Sequence, residues 1–257
     1  MYIEKGAKVK VLVLGDSGVG KSSLTHLLCH NEANRNPGYT IGCSIEIKLH
    51  DYKVGTPSEQ TYCLEIWDIG ASSSHTSGRF IFYSGVNGII LVHDLTNRKS
   101  LQNLNKWMNE VINQDPNLSG VTVGSGNVGS YDSAQNYGAF SIPVIMVGTK
   151  LDLIADSKRR DIARRSAMVA DDFGCSEIYL DSAQWQFLAP GSGNAVKLTR
   201  FFDKVVEDAK QKRVTSRGDM TPQRAERTGS FGGSDRRRFP VSKMGGYTPT
   251  KSGAHQD

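Results

Sequence analysis

The octapeptide Gly15-Asp16-Ser17-Gly18-Val19-Gly20-Lys21-Ser22 constrains this 257-residue chain more than any other feature. It fits GxxxxGK[ST] and lies between an apolar run, Lys8 to Leu14, and a helix-like stretch, which is the strand-turn-helix setting such a loop requires. Its glycines let successive backbone N–H groups converge on phosphate oxygens, and the start of the following helix brings a positive dipole end to the same place. Lys21 would reach the β- and γ-phosphates. The Ser22 hydroxyl would join Mg²⁺, a hard cation that shares oxygen ligands with the phosphates. The expected phosphate-binding set is therefore Asp16, Ser17, Gly18, Val19, Gly20, Lys21, Ser22 and Ser23. A glycine-rich turn with a coincidental Lys-Ser is the plain alternative, and it leaves the flanking strand and helix unexplained.

The rest of the chain repeats strand and helix signals in alternation. Cys43 to Tyr52 alternates Ile45, Ile47 and Leu49 with Glu46, Lys48 and His50, the period of two of a half-exposed edge strand. Lys53 to Pro57 reads as a turn, and Thr61 to Trp67 as its hairpin partner. Apolar runs follow at Gly88 to His93, Pro143 to Gly148 and Glu177 to Leu180, separated by helix-like segments near Leu101 to Gln114, Ala155 to Phe173 and Ala195 to Lys212. An α/β fold is expected, with a mostly parallel six-stranded sheet, one antiparallel edge hairpin and helices on both faces. Ser119 to Phe140 carries five glycines and no clear period, and reads as an insertion near 119–140.

Composition divides the chain in two. From Val214 onward there are eight Lys or Arg against four acids, a net +4, whereas residues 1–213 hold 23 bases and 22 acids. The tail is also rich in Gly, Pro, Ser and Thr, so 214–257 is expected to be a disordered basic segment following a folded body at 1–213. No run approaches the roughly 18 apolar residues of a spanning helix. The start, Met1 to Gly6, has neither a signal-peptide core nor a glycine at position 2 for myristoylation. Four scattered cysteines, Cys29, Cys43, Cys63 and Cys175, indicate neither a disulfide framework nor a structural zinc site. A cytoplasmic location is expected.

Several further residues stand just beyond the ends of strands: Asp68, then Thr149-Lys150-Leu151-Asp152, then Ser182-Ala183. Ligands of open α/β sheets bind at that edge. With Trp67-Asp68, Phe82-Tyr83 before Gly85, His93 to Thr96 and Asn103 to Trp107, this order of motifs resembles the Ras superfamily of small GTPases, and its Rab branch in particular. The stretches Val11 to Leu24, Ile41 to Ser44, Asn87 to Asn97, Gly148 to Asp152 and Asn194 to Val205 point to an atypical, Rab-like member. The resemblance covers about residues 7 to 213 and implies a P-loop small G domain that binds GTP and GDP with Mg²⁺ and acts on protein effectors or regulators. Residue by residue, Thr40, 19 positions after Lys21, would be the switch I threonine that closes onto Mg²⁺, with Asp68 holding the metal through water. Lys150 would lie along base and ribose. Asp152 would accept from guanine N1–H and the 2-amino group, donors that adenine lacks. Ala183, beside Ser182, would offer its N–H to guanine O6. An ordinary loop threonine and a capping carboxylate remain the dull alternatives for Thr40 and Asp152.

Departures from the family pattern bear on mechanism. Switch II runs Asp68-Ile69-Gly70-Ala71-Ser72, so the family glycine is displaced by one and Ser72 holds the slot of the water-orienting glutamine. No catalytic residue can be named, and hydrolysis is expected to be slow or vestigial; His75 is a candidate substitute or a merely solvated side chain. Ala33 replaces the aromatic expected 12 residues after Lys21, and Thr149 replaces the asparagine that ties the base loop to the phosphate loop. Both changes are expected to loosen the grip on nucleotide.

Weaker signals complete the reading. His26, Cys29 and His30 share a face of the first helix at a metal-ligating spacing, but no second pair of ligands is evident. Arg236 to Arg238, Thr221-Pro222 and Thr248-Pro249 offer a basic run and two proline-directed phosphorylation patterns in the tail. The chain ends Ser252 to Asp257 without a cysteine, so no prenyl group and no stable membrane anchor are expected, and no nucleic-acid partner. The second reading is a nucleotide-loaded interaction scaffold, a homodimer on the strength of the resemblance, without a catalytic cycle.

Overall fold

The computed structural model describes residues 8–114 and 142–218. The expected insertion near 119–140 and residues 219–257 of the tail lie outside them. Strands β1 (Val9–Leu14), β2 (Cys43–Tyr52), β3 (Gln60–Ile69), β4 (Gly88–Asp94), β5 (Val144–Thr149) and β6 (Ser176–Tyr179) form one sheet in the order β2-β3-β1-β4-β5-β6. Only β2 and β3 are antiparallel, with Cys43 opposite Ile69 and Tyr52 opposite Gln60. Helices α1 (Lys21–His30), α2 (Arg98–Gln102), α3 (Leu104–Gln114), α4 (Asp156–Asp172) and α5 (Gly193–Gly218) cover it. The expected α/β architecture is present.

Period-two alternation builds a core on each face. Val9, Val11 and Val13 of β1 pack with Ile90 and Val92 of β4 under α1 and α5; Leu12, Leu14, Ile89 and Leu91 pack under α3 and α4. With β1 between β3 and β4, the parallel strands all end at one edge, where the loops carrying the candidate residues emerge.

The structure differs from the sequence reading in three places. The helix expected near Leu101 to Gln114 is two helices meeting at Asn103, whose side chain reaches across to Asp16 at 2.7 Å. The helical backbone of α5 runs to Gly218, past the expected boundary at 213. In β2 the exposed set is the apolar one: Ile45, Ile47 and Leu49 are each about half exposed, while Glu46, Lys48 and His50 face the helices. Partners make that polar face tolerable. Lys48 Nζ donates to the Leu28 carbonyl at 2.7 Å, and His50 Nε2 bonds Asp203 at 2.9 Å.

Candidate nucleotide site

The loop after β1 leaves the sheet under tight constraint. A Cβ on Gly15, which has φ of 149°, would stand 2.1 Å from the Val92 carbonyl oxygen, so no other residue fits without opening the sheet. Helix α1 begins at Lys21 with no side chain capping it, leaving the N–H groups of its first turn for an anion. The Lys21 side chain folds back beneath them, and its Nζ donates to the carbonyls of Gly15 and Asp16, both at 2.9 Å. Burial pushes the Lys21 ammonium down to about 8, against the pull of Asp68 and Asp16 and with a further push from Arg79. A buried cation held mainly by neutral carbonyls is stabilised by an arriving anion.

Ser22, Thr40 and Asp68, from α1, the segment before β2 and the end of β3, come together. Both hydroxyls donate to Asp68 Oδ2, Thr40 at 3.0 Å, and the two lie 2.9 Å apart. Asp68 is 1% exposed, and its Oδ1 is buried without a hydrogen-bond partner. Two hydroxyls and an orphaned carboxylate oxygen are the all-oxygen donor set that Mg²⁺ takes, so these residues fit the ion.

The displaced switch II glycine has a structural reason. A Cβ on Gly70 would meet the Thr40 carbonyl oxygen at 2.6 Å, and the Gly70 N–H donates to the Gly42 carbonyl at 2.8 Å. Gly70 therefore lets switch I lie against the end of β3, and its N–H is occupied there. Ala71 packs against the second core, and Ser72 opens the helical turn Ser73–Phe82 without a side-chain cap bond. The side chain of His75 lies outside the described set.

Sequence reasoning missed what holds this turn. Arg79, 4% exposed, makes a two-pronged pair with Glu110 at 3.1 and 3.2 Å and lies 4.5 Å over the Trp107 ring. Trp107 Nε1 in turn donates to Asp16 Oδ1 at 2.9 Å, and Tyr83 OH donates to Glu110 at 2.8 Å. Helix α3 thus links switch II to the phosphate loop. One signal was available: Arg79 is the only Lys, Arg, Asp or Glu between Asp68 and Asp94.

The base end is assembled differently. Thr149, in the place of the family asparagine, still ties the base loop to the phosphate loop: its hydroxyl, 1% exposed, donates to the Val19 carbonyl at 2.6 Å and lies 3.0 Å from that of His93. Lys150, at φ 59°, pairs with Asp94 at 2.7 Å. Burial raises the Asp94 carboxyl, but hydrogen bonds from Lys150 and Thr96 outweigh it and leave the group below its ordinary range. Asp152 is exposed in the turn Leu151–Leu153, and so is Ala33 in switch I. The N–H of Ala183 donates to Asp181 Oδ1 at 2.8 Å, while Ser182 Oγ is buried without a partner. Trp185, which the sequence reading did not single out, stands 51% exposed two residues after Ala183.

Comparisons with known proteins agree with this geometry. The family described as "Ras of Complex, Roc, domain of DAPkinase" matches residues 10–127. Rab-like protein 3 of Xenopus tropicalis is 50% identical over 236 residues, covering 90% of this chain and 93% of that protein. Rab-like protein 3 of Mus musculus is 52% identical over 237 residues, with the same two coverages of 90% and 93%. A small GTPase-like protein of Arabidopsis thaliana is 36% identical over 156 residues, 58% of this chain and 44% of its own length.

Proposed function

The chain belongs to the Rab-like protein 3 family of small GTPases, and from that premise we propose that it binds GTP and GDP with Mg²⁺ and signals through its switch regions with slow hydrolysis. The observation that carries this reading is the convergence of Ser22, Thr40 and Asp68 beside an uncapped helix start, with one Asp68 oxygen left unpartnered. Phosphates would lie on the N–H groups of the loop and of the first turn of α1, with Lys21 beside them. Ser22 and Thr40 would hold the ion directly and Asp68 through water; when bound, it neutralises phosphate charge. Asp152 would read the guanine edge, and the exposed ring of Trp185 offers apolar surface at the same end. Slow hydrolysis follows from Ser72, too short to orient water, and from a Gly70 N–H already given to Gly42.

Exposed Tyr39, Ile41, Phe80 and Ile81 join Ile45, Ile47 and Leu49 as apolar surface on the switches and the edge strand. Such exposure favours protein partners. It is also what favours the second reading, a constitutively loaded scaffold in which this surface meets a second copy; light scattering of GTP-loaded protein distinguishes the two. No helix among the described residues is long and apolar enough to cross a membrane.

The test is nucleotide competition. Wild type is expected to prefer GTP to ATP by well over tenfold, and Asp152→Asn to prefer xanthine nucleotides, because one acceptor oxygen becomes a donor. Comparable ATP binding removes the guanine assignment. Single-turnover cleavage of loaded GTP is expected below the roughly 3–5 × 10⁻⁴ s⁻¹ of unaided Ras, and a rate at or above that figure means other groups orient the water.

A further inference from the structure

His26 and His30 stand one turn apart on α1, ring centroids 4.5 Å apart and planes tilted by 38°. The missing partner comes from the inverted face of β2. Glu46 Oε2 lies 2.9 Å from His30 Nε2, and one ligand atom from each of His26, His30 and Glu46 falls within 4.8 Å of the others. Among the described residues this is the one such group of three metal-ligating side chains. Lys48, the nearby cation on the same strand face, is turned to the Leu28 carbonyl and leaves the carboxylate to the histidines.

We propose that His26, His30 and Glu46 form a zinc site at the seam of α1 and β2, with a fourth position open to water. Zinc is bound by imidazole nitrogen and carboxylate oxygen at about 2.0–2.2 Å in a tetrahedron, which sets neighbouring ligand atoms about 3.3 Å apart. The three ligand atoms already lie within 4.8 Å of one another, and His30 is exposed and His26 and Glu46 half-buried, which leaves the side chains room to close toward that spacing. Two imidazoles and one carboxylate suit zinc better than Mg²⁺ or Ca²⁺, which select all-oxygen sets. The site is separate from the oxygen triad at Asp68. An ion here joins the end of α1 to β2, the two elements that bracket the segment carrying Thr40.

The experiment uses the full chain, free of any histidine tag and loaded with nucleotide and Mg²⁺. Zn²⁺ alone is titrated against a chelating dye, and Co²⁺ replaces it for an absorption spectrum. One equivalent of Zn²⁺ and a tetrahedral Co²⁺ band are expected. His26→Ala, His30→Ala and Glu46→Gln should each weaken Zn²⁺ at least about tenfold, the lower bound for loss of even an outer partner of a ligand. Cys29→Ser should leave affinity unchanged, and retained nucleotide shows that each variant is folded. Absence of binding, binding indifferent to the three substitutions, or loss in Cys29→Ser overturns the proposal.

Discussion

The two ends of the candidate nucleotide site are built on different principles. At the phosphate end the groups are buried (Lys21, Asp68) or half-buried (Asp16, Ser22, Thr40) and already bonded to one another: Lys21 to loop carbonyls, Ser22 and Thr40 to Asp68, Asp16 to Trp107 and Asn103. At the base end Asp152 is exposed, Lys150 is partly so, and the Ala183 N–H is given to Asp181. The phosphate end is ordered during folding, whereas a base bound as proposed would itself have to complete the burial and compete for the Ala183 N–H. Affinity should therefore reside mainly in the phosphates, and base selectivity in a single exposed carboxylate.

Lys21→Ala is the strongest way to break that contrast. It removes the charge-assisted hydrogen bonds to phosphate that the proposed function assigns to Lys21, worth roughly 1.5–3 kcal/mol each, so affinity for a fluorescent GDP analogue should fall about 1,000-fold. A loss of tenfold or less would place the affinity at the base end instead.

Arg79→Met tests whether the phosphate end depends on the turn beneath it. Leaving Glu110 without its buried partner should cost about 3 kcal/mol of stability in urea unfolding. A cost under about 1 kcal/mol would mean that the pair is structurally idle.

Preorganisation also predicts a pH signature. Between about pH 8, the folded value of Lys21, and its ordinary 10.5, the unfolded chain binds a proton that the folded chain does not. Stability of the nucleotide-free protein should thus rise with pH across that window, by at most about 3 kcal/mol, and the rise should vanish in Lys21→Met. Bound nucleotide should suppress it, since phosphate favours the charged lysine. Denaturation at several pH values with both proteins checks the direction.

Thr149→Val addresses the hydrogen bond from Thr149 to Val19 that joins the ends. It leaves the buried Val19 carbonyl without its donor and should cost about 1–2 kcal/mol, with GDP release accelerating in step. Unchanged stability and release would mean that the loops are held independently.

The smallest effect is expected from deleting residues 219–257: a melting temperature within about 2 °C of the full chain and unchanged GDP release. A larger shift would show that the tail contributes to one end of the site.

Much of this was legible locally. The phosphate loop, the six strands in chain order, and the places of Asp68, Lys150 and Asp152 just beyond strand ends follow from motif and period, because neighbouring residues encode them; Thr40 entered only through the family resemblance. Less legible were the partners. The period of two in β2 was plain, but which set of side chains faces the helices depends on Leu28, Asp203 and His30, none adjacent in sequence. Likewise the step of glycine from Ala71 to Gly70 reads in sequence as a lost catalytic feature, and only the approach of the Thr40 carbonyl shows what it accommodates.

Sequence by itself determined the kind of fold and where a nucleotide's phosphates would go, since a strand, a glycine turn and a helix start are short-range structures that carry their own anion site. Tertiary structure decided how the parts are coupled. Thr149 reaches Val19 across 130 residues, Trp107 reaches Asp16 across 91, and Arg79 reaches Glu110 across 31. A single hydroxyl or guanidinium is chemically able to serve many partners, and only the packing of helices on the sheet selects one. The meeting of two helix histidines with a strand carboxylate is the same kind of fact: spacing supplied two of the ligands, and the fold supplied the third.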